Sequence, residues 1–295
     1  MSGLGAWGQS GRGWCFSAMA VGRRPYGARM SHTGLHGATD SVRGVTASVR
    51  DAERELVDTA GGYLHHIVRE PGVTCAACAT PVSGCDLCLT CQRAYHTSGL
   101  ADIVVPLTYA IQGHRSGAAL QAYKNDPRRR VRAGHARVVD RLLYLGLMTH
   151  ERCIEARAGQ PIDVRLTIPS LNGRPGAHPL FTIALKMNAV NESPLLTAKF
   201  IEAHDRDISE RNFAVRPDVD LTGRHVLLLD DTWTSGANAH SAALTLRRAG
   251  AQRVSVMVIG RWLVPRYGRN RRFIRDRLQH PYDPRVCPVT GGDCP

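Results

Sequence analysis

The chain has 295 residues, of which 43% are hydrophobic and 21% are charged, a composition typical of globular proteins. No apolar run approaches the roughly 20 residues that a transmembrane helix needs, so we expect no membrane-spanning segment and no membrane partner. The formal net charge of +13 directs attention to anionic partners such as nucleic acid or phosphorylated small molecules. Arginine carries nearly all of the positive charge, and a general compositional bias and a selected anion-binding surface both remain open.

Residues 1–50 are rich in Gly, Ser and Arg and have almost no periodic apolar pattern. A segment of this kind cannot bury enough apolar surface to fold, so we expect a disordered leader. The pair Arg23-Arg24 is followed by Pro25 instead of an apolar stretch, and we therefore do not interpret it as an export signal.

Nine cysteines are present, and five of them fall within residues 75–91. Clustered cysteines in a chain without an export signal are typical of metal binding in a reducing compartment, so we expect a cytoplasmic protein. Two C-x-x-C pairs separated by nine residues can supply four thiolates to one tetrahedral zinc ion. The predicted ligands are Cys75, Cys78, Cys88 and Cys91, with Cys85 as an alternative ligand.

The other cysteines and a pair of histidines have no partner at ligand spacing in the sequence. Cys287 and Cys294 can complete or flank a metal site, pair when oxidised or remain plain cysteines, and we favour the last interpretation. The residues interpreted as structural or surface positions are Cys15, Cys153, His65 and His66.

The first half of the chain contains mainly helical patterns. The predicted elements are helices over 51–68, 116–124 and 133–150 and a strand over 102–111. The basic stretch 128–132 follows Pro127 and is predicted to be a solvated loop.

From about residue 162, strands and helices alternate, which is typical of a mostly parallel sheet covered by helices. The predicted strands are 164–168, 194–197, 225–229 and 254–259, and the predicted helices are 178–190 and 237–249. We therefore expect an α/β fold, followed by an arginine-rich tail.

The segment 226–238 carries the most informative chemistry. A buried apolar strand ends in two adjacent carboxylates, and a short loop of hydroxyl-bearing and small residues leads into a helix. Ligands of parallel sheets bind at the carboxyl ends of strands, and free N–H groups at a helix start suit a phosphate. The carboxylates would repel a phosphate, so they suit ribose hydroxyls or a divalent cation reached through water. The candidate binding residues are Asp230, Asp231, Thr232, Trp233, Thr234, Ser235, Gly236, Ala237 and Asn238.

This segment resembles the motif that binds phosphoribosyl pyrophosphate (PRPP) in type I phosphoribosyltransferases. The apolar strand, both acidic residues and the hydroxyl–hydroxyl–glycine run match the family pattern. The sequence departs from the pattern at Thr232 and Trp233, where aliphatic residues are usual, and at Asn238, where Ser or Thr is usual. Trp233 is expected either to pack under the loop or to present a flat face to a ligand.

Two further segments resemble parts of the same family. The loop after the predicted strand 164–168 is similar to the one that holds the pyrophosphate of PRPP, and its residues are Ser170, Leu171, Asn172, Gly173 and Arg174. Ahead of the main strand, Arg211 and Asn212 precede a Phe-Ala-Val strand, as in the flexible loop of the competence-associated ComF-type branch. Such a loop would close over the site and exclude water.

The cysteine cluster points to the same branch, because ComF-type proteins carry a zinc module ahead of the phosphoribosyltransferase core. The resemblance covers roughly residues 73–263 and includes Tyr123-Lys124 near a predicted helix end. It implies a leader (1–50), a helix with the zinc module (51–98), a helical hood (99–160), a PRPP-binding core (161–263) and an arginine-rich tail (264–295).

The resemblance implies a Mg²⁺-dependent enzyme that transfers the phosphoribosyl group of PRPP to a nitrogenous small molecule and releases pyrophosphate, with zinc as a structural ion. Thr234 stands where hypoxanthine-guanine enzymes usually have a third Asp, which disfavours that class of acceptor. The alternative is a non-catalytic PRPP-binding accessory protein in DNA uptake or nucleic-acid handling. DNA binding and a homodimer are left open.

Overall fold

The computed structural model describes residues 48–95, 99–171, 176–191, 196–199 and 207–295. Nearly all of the predicted leader lies outside these residues. So do Asn172, Gly173 and Arg174 of the predicted pyrophosphate loop.

The described residues form seven α-helices and six strands. The helices are α1 (Val49–Ala60), α2 (Leu89–Tyr95), α3 (Arg115–Asn125), α4 (Arg129–Ala158), α5 (Pro179–Lys186), α6 (Ala237–Arg248) and α7 (Asn270–Arg277). The strands are β1 (Ile103–Ile111), β2 (Val164–Thr167), β3 (Leu196–Ala198), β4 (Phe213–Val215), β5 (His225–Trp233) and β6 (Arg253–Leu263). None of these helices combines the length and the apolar character that crossing a membrane requires.

Four strands form a parallel sheet in the order β1-β6-β5-β2. The register places Leu228 of β5 between Leu166 of β2 and Val256 of β6. Residues 226–229 of β5 are all apolar and fully buried, as expected for a central strand covered on both faces. The prediction of an α/β fold with a parallel sheet flanked by helices is confirmed.

Alternate residues of the sheet face two separate hydrophobic clusters. Leu227 and Leu229 pack with α1, α3, α4 and α5, whereas Val226 and Leu228 pack with α6 and the cysteine segment. This division follows from the two-residue period of a strand, whose successive side chains point to opposite faces. The carboxyl end of β5 therefore emerges between two helical layers.

The basic stretch 128–132, predicted to be a solvated loop, is instead helical from Arg129 onward and opens the 30-residue helix α4. Arginine is a good helix former, and the run of arginines continues directly into the apolar pattern of the helix. Arg132 also donates hydrogen bonds to the carbonyl oxygens of Asp126 (2.7 Å) and Pro127 (3.1 Å), which fixes the chain as it enters α4.

Two predicted helices are shorter in the structure. The helix predicted over 51–68 ends at Ala60, because glycines at 61 and 62 favour the helical state poorly. The helix predicted over 178–190 ends at Lys186, and Asn188 just beyond it adopts a left-handed conformation with φ 53°.

Strands β3 and β4 form an antiparallel hairpin apart from the main sheet, with Leu196 paired to Val215. The predicted strand over 194–197 is therefore not a member of the parallel sheet. The hairpin packs beside α6, where Phe213 is buried and the Ser209 N–H donates to Ser241 Oγ (2.9 Å).

The segment after β6 packs onto the body of the protein. Phe273 of α7 meets the Tyr109 ring edge-on, with the ring centroids 5.3 Å apart. Tyr282 and Cys287 are buried in the same cluster as α1 and α4. The arginine-rich tail thus covers part of the core.

Gly117 of α3 has no room for a side chain, since a Cβ there would lie 2.2 Å from the carbonyl oxygen of Ile111. Gly117→Ala should lower the free energy of unfolding by about 1 to 3 kcal/mol because the backbone must shift. The matched control is Gly134→Ala in α4, where a Cβ meets nothing within 4 Å and should be stabilising by about 0.5 to 1 kcal/mol. Urea unfolding measures both, and equal stability of the two variants would contradict this packing.

Candidate functional site

The acidic pair lies on β5 itself, near the carboxyl end of the strand. The strand extends to Trp233 instead of ending at residue 229, so it carries Asp230 and Asp231 at successive positions. Asp231 is buried and Asp230 is partly exposed. Because adjacent strand residues point to opposite faces, the two carboxylates have different surroundings although they are neighbours in sequence.

Asp231 is held by three side chains from two helices. Its Oδ2 accepts hydrogen bonds from Tyr123 Oη (2.6 Å) and Lys124 Nζ (2.7 Å) at the end of α3. His178 Nε2 lies 3.3 Å from the same oxygen. The Leu180 N–H donates to His178 Nδ1 (3.2 Å), so the proton of the neutral imidazole is on Nε2 and faces the carboxylate.

These partners determine the charge of Asp231. Burial disfavours the ionised form, but the hydrogen bond from His178 and the positive charge of Lys124 outweigh it and hold the pKa of Asp231 well below its usual range. Asp231 is therefore a fixed negative charge at neutral pH.

Asp230 lacks comparable compensation. Burial of its carboxyl group, and then the negative charge of Asp231, raise the pKa of Asp230 to about 7. The Asp231 N–H donates to Asp230 Oδ1 (2.8 Å), which orients the carboxyl group without neutralising it. Hydroxyl donors or a cation placed here would stabilise the ionised form.

The loop after β5 leads into the start of helix α6, where an anion could bind. Gly236 adopts φ 80° as the N-cap of α6 and makes no side-chain cap. A Cβ there would lie 2.2 Å from the Trp233 ring, so the close packing of loop and ring requires glycine. Thr234 and Asn238 are exposed, and Ser235 Oγ accepts from the Ala237 N–H (3.4 Å). Uncapped N–H groups beside hydroxyls are the usual elements of a phosphate site.

Trp233 packs beneath this loop and does not present a face to solvent. Its side chain is 2% exposed and meets His240 of α6 edge-on, with ring centroids 5.3 Å apart. Burial lowers the pKa of His240 to about 4, so this imidazole is neutral at physiological pH. Of the two roles open to Trp233 from the sequence, the structure supports the packing role.

Arg261 of β6 connects this loop to the cysteine segment. Its Nη1 donates to the carbonyl oxygens of Trp233 (2.6 Å) and Thr234 (2.8 Å), and its Nε donates to Thr80 Oγ1 (2.9 Å). Thr80 Oγ1 in turn lies 2.9 Å from Cys78 Sγ. The buried guanidinium thus ties the backbone of the loop to the turn that carries the first cysteine pair.

Four of the five clustered cysteines come together. Their sulfur atoms all lie within 4.8 Å of one another, so this group could hold a structural metal ion. Its members are Cys75, Cys78, Cys88 and Cys91. Contacts with Cys75 and Cys78 raise the pKa of the Cys88 and Cys91 thiols. Cys85, the alternative ligand, is not a member of the group.

The other predicted site residues are only partly described. Ser170 and Leu171 follow β2, the strand next to β5, at the same edge of the sheet as the acidic pair. Asn172, Gly173 and Arg174 lie outside the described residues. Of the predicted flexible-loop residues, Arg211 is exposed, whereas Asn212 is buried with its Nδ2 3.4 Å from Ser241 Oγ of α6. Asn212 therefore packs against the helix that begins at the candidate phosphate loop.

The sequence did not reveal the partners of Asp231 or of the loop. Tyr123 and Lys124 stood out only by resemblance, and their contact with the acidic pair depends on how α3 packs. His178 immediately precedes Pro179 at a helix start, which signals a cap and not a site residue. Arg261 was indistinguishable among many arginines, although its position in an otherwise apolar strand is unusual.

No family model matches this chain. Among curated proteins, the search likewise finds no match.

Replacing Asp230 with asparagine tests its raised pKa. Protonated Asp230 is favoured in the folded state between the unfolded and folded pKa values, so its stabilising effect is lost as the pH rises through about 7. Asp230→Asn keeps the oxygen acceptor and should be more stable than the native chain by about 1 to 3 kcal/mol near pH 8, with little difference near pH 3, which lies below the unfolded pKa of about 4.

Thermal unfolding at both pH values measures this difference. The control is Asp218→Asn, because the exposed Asp218 pairs with Arg216 through a hydrogen bond that lowers the pKa of the carboxyl group. This control should show no gain in stability at high pH. A pH-independent effect of Asp230→Asn would contradict the raised pKa.

Replacing Arg261 tests the link between loop and cysteines. Lysine cannot reach Trp233, Thr234 and Thr80 together, so Arg261→Lys should lower the free energy of unfolding by about 2 to 4 kcal/mol. The exposed Arg271→Lys is the control and should stay within about 0.5 kcal/mol of the native chain. Similar stabilities of both variants in urea would show that the link contributes little.

Proposed function

We propose that the protein is a PRPP-binding phosphoribosyltransferase of the type I fold, related to the ComF-type branch. The observation that carries the proposal is the acidic pair near the carboxyl end of a central parallel strand, followed at once by an uncapped helix start with Gly236 at its N-cap. A sugar that bears hydroxyls beside a phosphate is complementary to carboxylates beside free N–H groups.

In this proposal the acidic pair binds the ribose. Asp231 is kept ionised by Lys124 and His178, and it fixes the position of its neighbour through the backbone. Asp230 is partly exposed and has spare acceptor capacity, so it accepts hydrogen bonds from the ribose hydroxyls. These hydrogen bonds favour the ionised carboxylate and offset its burial.

The 5′-phosphate binds at the start of α6. The loop 234–238 contributes backbone N–H groups and the hydroxyls of Thr234 and Ser235, and the helix dipole favours negative charge there. Arg261 donates hydrogen bonds to two carbonyl oxygens of the loop on the side away from the anion. The carbonyl dipoles therefore point away from the anion.

The pyrophosphate lies toward the neighbouring strand. Ser170 and Leu171 follow β2 at the same sheet edge, and Arg174 beyond them supplies a planar fork for the phosphate oxygens. The exposed Arg211 belongs to the segment that the resemblance assigns to closing over the reactants and excluding water.

The donor set also fits Mg²⁺. Burial and then the negative charge of Asp231 raise the pKa of Asp230, and a hydrated divalent cation beside the carboxyl group would favour its ionised form. When bound, Mg²⁺ stabilises the negative charge of the departing pyrophosphate.

The chemistry that follows is a substitution at C1′ of the ribose. The bond from C1′ to the pyrophosphate oxygen breaks, a bond from C1′ to the acceptor nitrogen forms, and the acceptor loses a proton to water. The protein contributes positioning and charge stabilisation and no covalent intermediate. The acceptor is a nitrogenous small molecule held by the hood region 99–160, and Thr234 makes a hypoxanthine-like or guanine-like base a poor fit.

We assign zinc to the group Cys75, Cys78, Cys88 and Cys91, in a structural role. Four thiolates form a closed tetrahedral site with no open position for a substrate. Cys78 contacts Thr80, and Thr80 accepts a hydrogen bond from Arg261, so the ion would help to hold the phosphate loop in position.

A binding experiment with one variant tests the proposed site. Asp230→Asn should weaken PRPP binding in the presence of Mg²⁺ by at least about tenfold, because it removes a charged acceptor for the ribose hydroxyls. Asp218→Asn should bind PRPP as the native chain does. Since Asp230→Asn is expected to be more stable at high pH, lost binding cannot be ascribed to unfolding, and unchanged affinity by calorimetry would contradict the site.

Turnover is tested with radiolabelled PRPP and a panel of bases and amines. Release of pyrophosphate that depends on one acceptor class, and is lost in Asp230→Asn, is the expected result. Retained PRPP binding with no turnover, together with salt-dependent DNA binding, would instead favour the accessory-protein alternative.

A further inference from the structure

A second group of sulfur and nitrogen ligands lies between α4 and the end of the chain. His150 and Cys153 are one turn apart on α4, and Cys287 and Cys294 belong to the C-terminal segment. One ligand atom from each residue lies within 4.8 Å of the others. Their spacing in the sequence indicated no such meeting, and Cys153 in particular had no partner at ligand spacing.

His150 has the geometry of a metal-binding histidine. The side chain is buried, and Nε2 lies 3.4 Å from the carbonyl oxygen of Pro284. A carbonyl only accepts, so the proton is on Nε2 and the lone pair is on Nδ1. Nδ1 lies 3.5 Å from Cys294 Sγ, on the side of the sulfurs. A histidine that binds a metal usually donates its other N–H to a carbonyl or carboxylate in this way.

Cys287 begins a turn that repeats the one at the first cysteine group. Its N–H donates to the carbonyl five residues on (2.7 Å), and its carbonyl accepts from the N–H of Gly291 (2.7 Å), where φ is 85°. Cys75 begins the same turn, since its N–H donates five residues on (2.7 Å) and its carbonyl accepts from Ala79 (2.9 Å), where φ is 58°. Two turns with one hydrogen-bond pattern thus each present a cysteine sulfur to a ligand group.

We propose that His150, Cys153, Cys287 and Cys294 bind a second structural zinc ion. Three sulfurs and one imidazole nitrogen are a common donor set for closed tetrahedral zinc sites. Sulfurs bound at about 2.3 Å to one zinc lie about 3.8 Å apart, so the observed group needs only small shifts to close on the ion. All three cysteines are free thiols, and pairing two of them would leave a third thiol and a buried imidazole without a role.

The ion would fasten the end of the chain to the long helix α4. Arg69 extends this connection, because it donates to the carbonyl oxygens of Pro288 (3.1 Å), Val104 in β1 (2.8 Å) and Ala76 (3.2 Å). The C-terminal turn is thereby joined to the sheet and to the turn that carries the first cysteines. This role holds the fold together and does not depend on which ligand the acidic pair binds.

Metal analysis of the full-length native chain, purified with reductant, should give about two zinc ions per chain. Cys294→Ser should lower this to about one, although Cys294 is exposed and contributes little to packing. The matched variant Cys91→Ser should also retain about one ion. After cobalt exchange, the spectrum of Cys294→Ser should be that of four sulfurs, and that of Cys91→Ser should be that of three sulfurs and one nitrogen.

A native content of about one ion that Cys294→Ser leaves unchanged would overturn the proposal. Alkylation of the native chain followed by mass spectrometry gives an answer even if a variant does not fold. Cys153, Cys287 and Cys294 should be shielded until a chelator is added. Equal alkylation with and without chelator, or a disulfide between any two of them in protein kept under reductant, would also overturn it.

Discussion

Two carboxylates on adjacent residues of a buried strand are the constraint around which the site is organised. The two carboxylates repel each other, and their surroundings stabilise the ionised form of one much more than that of the other. Asp231 receives Tyr123 and Lys124 from α3 and His178 from the N-cap of α5, whereas the carboxyl group of Asp230 accepts a hydrogen bond from a backbone N–H. One carboxylate is therefore a fixed anion, and the other has a raised pKa and is poised to gain a partner.

This arrangement lowers the free energy of unfolding, because an unfavourable charge lies at the centre of the sheet. A partly enclosed carboxyl group beside a second carboxylate is unfavourable in its ionised form in the free protein, and it stays in place because the surrounding sheet and helices hold it there. A ligand that supplies hydroxyl donors or a cation would recover that free energy on binding. The same feature that weakens the fold at high pH is thus the one that would give a site its affinity.

The loop beside the acidic pair is connected to the four-cysteine group, which could hold a metal ion. Thr80 contacts Cys78 of the first cysteine turn and accepts a hydrogen bond from Arg261. Arg261 also donates to the carbonyl oxygens of the loop, so it connects the loop to that turn. Arg69 connects the same turn to the C-terminal segment and to β1. Together Arg69 and Arg261 use backbone carbonyls to join segments that are far apart in sequence, which gives part of the arginine content a structural role.

Local patterns were sufficient to predict the parallel sheet, the acidic pair and the four-cysteine group, because strand periodicity and C-x-x-C spacing are short-range signals. The partners of Asp231 were not predictable, since Lys124 and His178 reach it only through the packing of two helices against the sheet. The second ligand group was hidden for the same reason, with His150 and Cys287 in distant parts of the chain. The strand predicted over 194–197 belongs to the separate antiparallel hairpin β3–β4 and not to the main sheet, because apolar strand residues do not specify which sheet they join.

The measurement that tests the central claim most directly is calorimetry of PRPP binding with Mg²⁺ near neutral pH, repeated in buffers of different ionisation enthalpy. If PRPP stabilises the ionised form of Asp230, binding should release protons to the buffer, and this release should disappear in Asp230→Asn. Absence of any binding heat, or binding whose proton release is the same in Asp230→Asn as in the native chain, would contradict the account.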